Sequence, residues 1–217
     1  LGRGSRHHRG AEDDGCSRTL LLEKSRGGLR PMRAVSTVEL PQPARVCDAL
    51  IRAAADRPEA LAVVCGTRRT TYAELLDRVT RLATILREAG LERGQRAAML
   101  SRNSDRYIEF YYAVIWSGGI MVPLNHRLSA SELQRVFEDS GPRVLLFDAE
   151  HSEAAAQLAA LDSGLRLISV TKSDGGDSDY EQMLSGSSPC PDRSGSDHDT
   201  ALIVYTGGTT GRPRGVM

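Results

Sequence analysis

The sequence predicts an α/β fold: alternating strands and helices that build a largely parallel sheet. Three observations carry that reading. Short apolar runs such as Leu61–Cys65, Arg96–Leu100 and Val144–Phe147 alternate with longer stretches of helical spacing. Two helix starts are written as capping boxes, Thr71–Glu74 and Ser129–Glu132, each placing a hydroxyl three residues before a glutamate. Glycine or proline closes most segments, as at Arg57-Pro58, Gly90 and Gly141-Pro142. Strands separated by helices of this length call for right-handed crossovers and a buried parallel sheet.

Taken in order, residues 1–33 are rich in Gly, Arg and Ser and show no hydrophobic period. They read either as a basic arm or as a disordered leader with no part in the fold, and the latter is expected. Val46, Leu50, Ile51 and Ala54 mark a helix, and Leu61–Cys65 a strand. The helix opened by Thr71 carries Leu75, Val79, Leu82, Ile85 and Leu86 on one face. Arg96–Leu100 is the next strand, Asp105–Trp116 an apolar helix, and Gly118-Gly119 turns the chain into Ile120–Pro123. Ser129 opens a helix that ends near Gly141. Val144–Phe147 is a strand, 152–161 a helix and Leu165–Val170 a strand.

Residues 171–199 change character, being dense in Ser, Gly, Asp and Pro, and read as a surface connection. The expected organisation is a leader at 1–33, an α/β subdomain at 34–184, a connection at 185–199, and a strand with its following loop at 200–217.

Composition narrows the function. The chain has 217 residues, with 28 Lys+Arg against 28 Asp+Glu. Residues 1–33 hold eight basic and four acidic side chains, net +4, so the remainder holds 20 against 24, net −4. A body of that sign has no bulk attraction for nucleic acid or anionic lipid. The four cysteines, at 16, 47, 65 and 190, form no closely spaced pair of the kind structural zinc requires. The longest apolar stretch, Tyr111–Leu124, is interrupted by Ser117, Gly118, Gly119 and Pro123. A bilayer span asks for about 20 apolar residues. A cytoplasmic protein without a metal site is expected.

One segment carries chemistry. The apolar strand Thr200–Tyr205 runs into Thr206-Gly207-Gly208-Thr209-Thr210-Gly211-Arg212-Pro213-Arg214-Gly215. Glycines free the backbone amides to converge on one concavity, which suits a polyphosphate. The hydroxyls of Thr206, Thr209 and Thr210 add donors, and Arg214 adds a fixed positive fork. The same composition also suits a glycine-rich turn that merely links two strands. It is neither a Walker A loop nor a dinucleotide-binding glycine turn, since no Gly-Lys-Ser/Thr closes it and the GxGxxG spacing is absent.

Tyr205–Gly215, YTGGTTGRPRG, closely resembles the phosphate-binding signature YTSGTTGxPKG of the adenylate-forming enzymes. Thr71–Leu75 resembles that superfamily's early TYxEL segment, and Ser117–Asn125 its xxGGxxVPLN segment, in the same order. The resemblance covers about residues 42–217. Pro123–Leu128 followed by Glu132-Leu133 is similar to the PLNxRLxxxEL form common in the acyl-CoA synthetases, with Asn125 and Arg127 as markers of that branch. Two positions depart: Gly207 stands where Ser is usual and Arg214 where Lys is usual.

The resemblance implies the first part of the large N-terminal domain of such enzymes. It implies ATP-dependent activation of a carboxylic acid, of the fatty-acid class, through an acyl-adenylate to a coenzyme A thioester. ATP, Mg2+ and coenzyme A are the implied cofactors and co-substrates. Thr206, Gly207, Gly208, Thr209, Thr210, Gly211 and Arg214 are the implied holders of the ATP phosphates, with no residue of this chain assigned to bond making. The 217 residues alone are not expected to form acyl-adenylate. A non-catalytic nucleotide-binding module and a peptide-synthetase adenylation domain are the alternatives.

Overall fold

The computed structural model describes residues 46–171, 179–196, 198–206 and 214–217, together with two short strands nearer the N-terminus. The chain divides into two units, residues 1–41 and 42–217. In the first, β1 (Leu22–Glu23) pairs antiparallel with β2 (Arg30–Pro31). The remainder of the segment read as a leader lies outside the described residues.

The second unit opens with α1 (Val46–Asp56), which buries Cys47 and Leu50. A hairpin follows, β3 (Leu61–Cys65) and β4 (Arg68–Thr71), paired antiparallel. Leu61–Cys65 is therefore a strand as expected, but it belongs to this hairpin and not to the parallel sheet. The reason is local: only Gly66 and Thr67 separate it from β4, and Gly66 takes φ 59°, so the chain reverses at once. No apolar alternation in the polar run Arg68–Thr71 marks it as a strand; its pairing with β3 makes it one.

Helix α2 (Tyr72–Glu88) starts at the expected capping box. The Glu74 amide donates to Thr71 Oγ1 at 3.3 Å and the Thr71 amide donates to the Glu74 carboxylate at 2.8 Å. Then come β5 (Arg96–Leu100), α3 (Asp105–Trp116), β6 (Ile120–Pro123) and α4 (Ala130–Ser140). At the start of α4 the Ser129 amide donates to Glu132 at 2.8 Å. Strand β7 (Val144–Phe147), a 3-10 turn at Ala149–His151, α5 (Ser152–Ala159) and β8 (Arg166–Ser169) complete the regular part.

The sheet has the order β6-β5-β7-β8 and every pair is parallel. Alternate strand residues face opposite ways. Ala97, Met99, Val144 and Leu146 pack with buried residues of α1, α2 and α3. Ala98, Leu100 and Leu145 pack with Leu133, Val136 and Phe137 of α4 and with Ala155 and Leu158 of α5. The result is a three-layer arrangement with helices on both faces. The connection from β5 leads to β6 on one side, and that from β7 leads to β8 on the other. The carboxyl ends of β5 and β7 thus form a topological switch point, where open α/β sheets present a crevice.

The stretch read as a surface connection also contains a helix, α6 (Asp179–Gly186), which buries Tyr180 and Leu184. It docks through a buried ionic cluster. The Glu109 carboxylate, 1% exposed, accepts from Arg78 Nε at 2.7 Å, Arg106 Nη1 at 3.1 Å and the Tyr180 hydroxyl at 2.5 Å. Glu181 accepts from Arg78 at 2.9 Å and also pairs with Arg106. Burial and the neighbouring Glu109 charge push the Tyr180 phenol well above its usual range. Residues 187–196 continue over α2 and lead to the C-terminal strands.

Candidate functional site

The strand predicted at 200–205 forms in two parts. Leu202 makes a parallel bridge to Met121 of β6, so this segment extends the sheet beyond its β6 edge. The Met121 amide donates to the Ala201 carbonyl at 2.9 Å, and the Ile203 amide donates to the Met121 carbonyl at 2.9 Å. Leu202 packs against one core, and Ile203 and Tyr205 against the other, as strand alternation requires. Beyond this bridge, β9 (Val204–Thr206) pairs antiparallel with β10 (Arg214–Val216).

The register is informative. Thr206 stands opposite Arg214, Tyr205 opposite Gly215 and Val204 opposite Val216. The two ends of the proposed phosphate loop are thereby brought together, a hydroxyl facing a guanidinium-bearing residue at the mouth of a hairpin, both exposed. Gly207, Gly208, Thr209, Thr210 and Gly211 lie outside the described residues.

Two contacts anchor the hairpin. The Tyr205 hydroxyl donates to Asp139 Oδ2 on α4. Burial, with the Asp139 carboxylate beside it, pushes that phenol up to about 12. Across the pair, Gly215 lies against the Tyr205 ring. A Cβ there would meet Ile203 Cγ2 at 2.8 Å and Tyr205 Cζ at 3.2 Å. In sequence Gly215 stands with the loop glycines; in the fold it lets β10 lie flat on β9.

At the switch point, sequence reasoning missed a polar cluster. Asp148 Oδ2 accepts from the Arg102 amide at 3.0 Å, and Asp148 Oδ1 meets His151 Nδ1 at 2.5 Å. Arg102 Nη2 reaches Glu150 at 2.6 Å, and the His126 ring stands edge-on to His151, centroids 5.6 Å apart. Burial raises the Asp148 carboxyl, but the bonds from His151 and from the Arg102 amide outweigh it and hold the group below its ordinary range. Asp148, Glu150 and His151 could approach one cation together. Their carboxylates are already occupied by Arg102 and His151, so the cluster is assigned no metal. Its members come from three separate loops, and only the strand order would have pointed there. Asn125 Oδ1 accepts from the Arg127 amide at 3.0 Å, closing a tight local turn after β6.

The donor set at the hairpin mouth fits an anion: a hydroxyl and a guanidinium at the entrance to a loop of glycines and threonines. Comparison with known proteins agrees in family. The model of the AMP-binding enzyme family matches residues 50–217. A feruloyl-CoA synthase from an Amycolatopsis species is 41% identical over 167 residues, 77% of this chain and 32% of that protein. A 3-oxocholest-4-en-26-oate–CoA ligase from Rhodococcus rhodochrous is 36% identical over 74% of this chain and 30% of its own length. The chain thus spans about a third of the length of these curated relatives. Among solved structures, ATP-bound MatB from Rhodopseudomonas palustris superposes with a TM-score of 0.68 at 31% identity, covering 80% of this chain and 34% of that one. The N-terminal domain of FACL13 from Mycobacterium tuberculosis, inhibitor-bound, gives 0.68 at 28% identity, covering 77% of this chain and 42% of that one. Motifs, fold and relatives converge, and the chain belongs to the AMP-binding enzyme family.

Proposed function

We propose that residues 206–214 hold the β- and γ-phosphates of ATP, and that the chain serves the ATP-dependent ligation of a carboxylic acid to coenzyme A. The observation that carries the reading is the β9–β10 register, which sets Thr206 against Arg214 at the two ends of the TGGTTGRPR loop. In this reading phosphate oxygens would be met by threonine hydroxyls, loop amides and the Arg214 guanidinium, all of which gain strength toward a charged acceptor.

In this reaction the acid's carboxylate oxygen bonds to the α-phosphorus of ATP as the bond to pyrophosphate breaks, giving an acyl-adenylate. The coenzyme A thiol then attacks the acyl carbon, loses its proton and displaces AMP. Thr206, Gly207, Gly208, Thr209, Thr210, Gly211 and Arg214 contribute to the first step alone, by fixing the departing pyrophosphate. Mg2+ would neutralise the same oxygens, with threonine hydroxyls as candidate ligands. The relatives' names, which are CoA synthases and ligases, support coenzyme A over a carrier protein as acceptor. The acid is proposed to be of the fatty-acid class, and the protein to work in the cytoplasm. Among the described residues no helix is long and apolar enough to cross a membrane.

The test is a titration of the 217-residue chain with a fluorescent ATP analogue and Mg2+. Losing a charged hydrogen-bonding partner costs about 1.5–3 kcal/mol, so Arg214→Ala should weaken binding roughly tenfold or more. Saturable binding that Arg214→Ala leaves unchanged would contradict the assignment.

A further inference from the structure

The strand that delivers the phosphate loop is thinly held. Among the described residues, two backbone hydrogen bonds to Met121 hold residues 201–203 on β6, and beyond them the Tyr205 hydroxyl holds the hairpin to Asp139. A one-residue slip would turn Leu202, Ile203 and Tyr205 to the wrong cores and carry Thr206 away from its place. The segment just before it is held far more firmly. Arg81 and Thr84 of α2 donate to the carbonyls of Ser187 and Ser188, and Arg87 donates to the Asp192 carbonyl at 2.7 Å and to Ser194 Oγ at 2.6 Å. The Ser194 amide donates to the Trp116 carbonyl at 3.1 Å.

This strap ends at a bidentate pair. Arg93 Nε and Nη2 meet the two oxygens of Asp199, each at 2.8 Å, and Asp199 Oδ2 also accepts from the Ser196 amide at 2.8 Å. Arg93 sits at the entry to the sheet. The neighbouring Gly94 amide donates to the Gly118 carbonyl at 2.9 Å, and the Gln95 carbonyl accepts from the Ile120 amide at 2.8 Å. Gly118, at φ 77°, forms the turn on which the strap rests. A Cβ there would stand 3.2 Å from the Ser194 backbone and 3.3 Å from Arg93 Cγ. One turn therefore marks the start of β5, the start of β6 and the start of the loop-bearing strand.

We propose that the Arg93–Asp199 pair, seated on the Gly118 turn, is a positioning clamp that sets the register of residues 201–203 against β6 and so the place of the phosphate loop. The functional half of this rests on the phosphate-binding reading above. Asp199 is two residues from Ala201, at most about 7 Å of extended chain, so fixing its carboxylate restricts how far the pairing can slip. The residues next to Arg93, Gly94 and Gln95, are held at Gly118 and Ile120 by the same backbone bonds that begin β6. The pair is exposed and contributes little to global stability; its consequence is geometric.

The test uses Asp199→Asn, which keeps an acceptor for the Ser196 amide but drops the charge, and Arg93→Lys, which keeps the charge but loses the fork. Amide exchange is read at Ile203 and Met121, with Ala98 and Leu145 as core references. Asp199→Asn should speed exchange at Ile203 and Met121 by about tenfold and leave the references unchanged, with Arg93→Lys between it and the unmodified chain. Binding of the ATP analogue should weaken in the same order. Exchange at Ile203 within about twofold of the unmodified chain would overturn the clamp, and so would equal acceleration at the references, which marks a general loss of stability. Failure of the unmodified chain to bind nucleotide refutes the phosphate reading instead, while the exchange data still decide on the clamp.

Discussion

Replacing Glu109 with glutamine tests the ionic cluster that docks α6. The carboxylate accepts from both Arg78 Nε and Nη2, from Arg106 Nη1 and from the Tyr180 hydroxyl. An amide keeps one acceptor oxygen, turns a donor toward two guanidinium groups and removes the compensating charge. Removing one partner of a buried ion pair costs about 3–5 kcal/mol. Glu181, about a quarter exposed, still faces both arginines, so the lower end applies, about 3 kcal/mol. That is a large part of the roughly 5–15 kcal/mol that stabilises a typical domain. For a chain of this size it corresponds to a fall in Tm of about 6–12 °C, measured by circular dichroism with a urea titration as the isothermal check. Tyr180→Phe removes one donor from a carboxylate that keeps its arginine bonds and should cost less, about 1.5 kcal/mol. A Glu109→Gln loss below about 1 kcal/mol, or one no larger than that of Tyr180→Phe, would refute the account of how α6 is held.

Three further outcomes follow from contacts described above. Gly215→Ala places a methyl within 2.8 Å of Ile203, so β10 must lift from Tyr205; the Tyr205 phenol, held at about 12, should then titrate closer to 10, and an unchanged NMR titration would contradict that packing. Thr71→Ala removes the hydroxyl half of the α2 capping box and should cost about 1 kcal/mol in urea unfolding, whereas no measurable change would mean that Glu74 alone suffices. The carboxyls of Asp105 and Glu181 are held below their ordinary range, burial opposing and arginine bonds prevailing. Depressed carboxyls stabilise the fold above their unfolded values near 4 and lose that contribution as pH falls through the folded ones. Stability should therefore be level on this account above about pH 5 and decline from pH 4 towards 2; a decline already complete at pH 4 would contradict these assignments.

Legibility in the sequence followed the strength of local signals. Arg96–Leu100, Asp105–Trp116 and Val144–Phe147 form with the bounds their apolar patterns predict, and both capping boxes stand where the hydroxyl–glutamate spacing put them. Strand β4 was invisible because its Arg-Arg-Thr-Thr sequence carries no apolar alternation. Helix α6 was hidden in a polar stretch, since its place depends on Tyr180 and Glu181 meeting residues of α2 and α3 about 70–100 positions away. The phosphate loop was legible as a motif, but the facing of Thr206 and Arg214 and the packing work of Gly215 come only from strand pairing. Within the polar cluster Asp148 and His151 are three residues apart, but Arg102 and His126 join them only through strand order.

The proposed function requires the loop between Thr206 and Arg214 to grip the terminal phosphates of ATP. The most direct measurement is competition against the fluorescent ATP analogue by ATP, pyrophosphate, ADP and AMP on the unmodified chain. ATP and pyrophosphate should displace the analogue, and ADP should do so less well. AMP, lacking the β- and γ-phosphates, should compete at least about tenfold more weakly than ATP. AMP competing as well as ATP, with pyrophosphate inert, would contradict the proposed function.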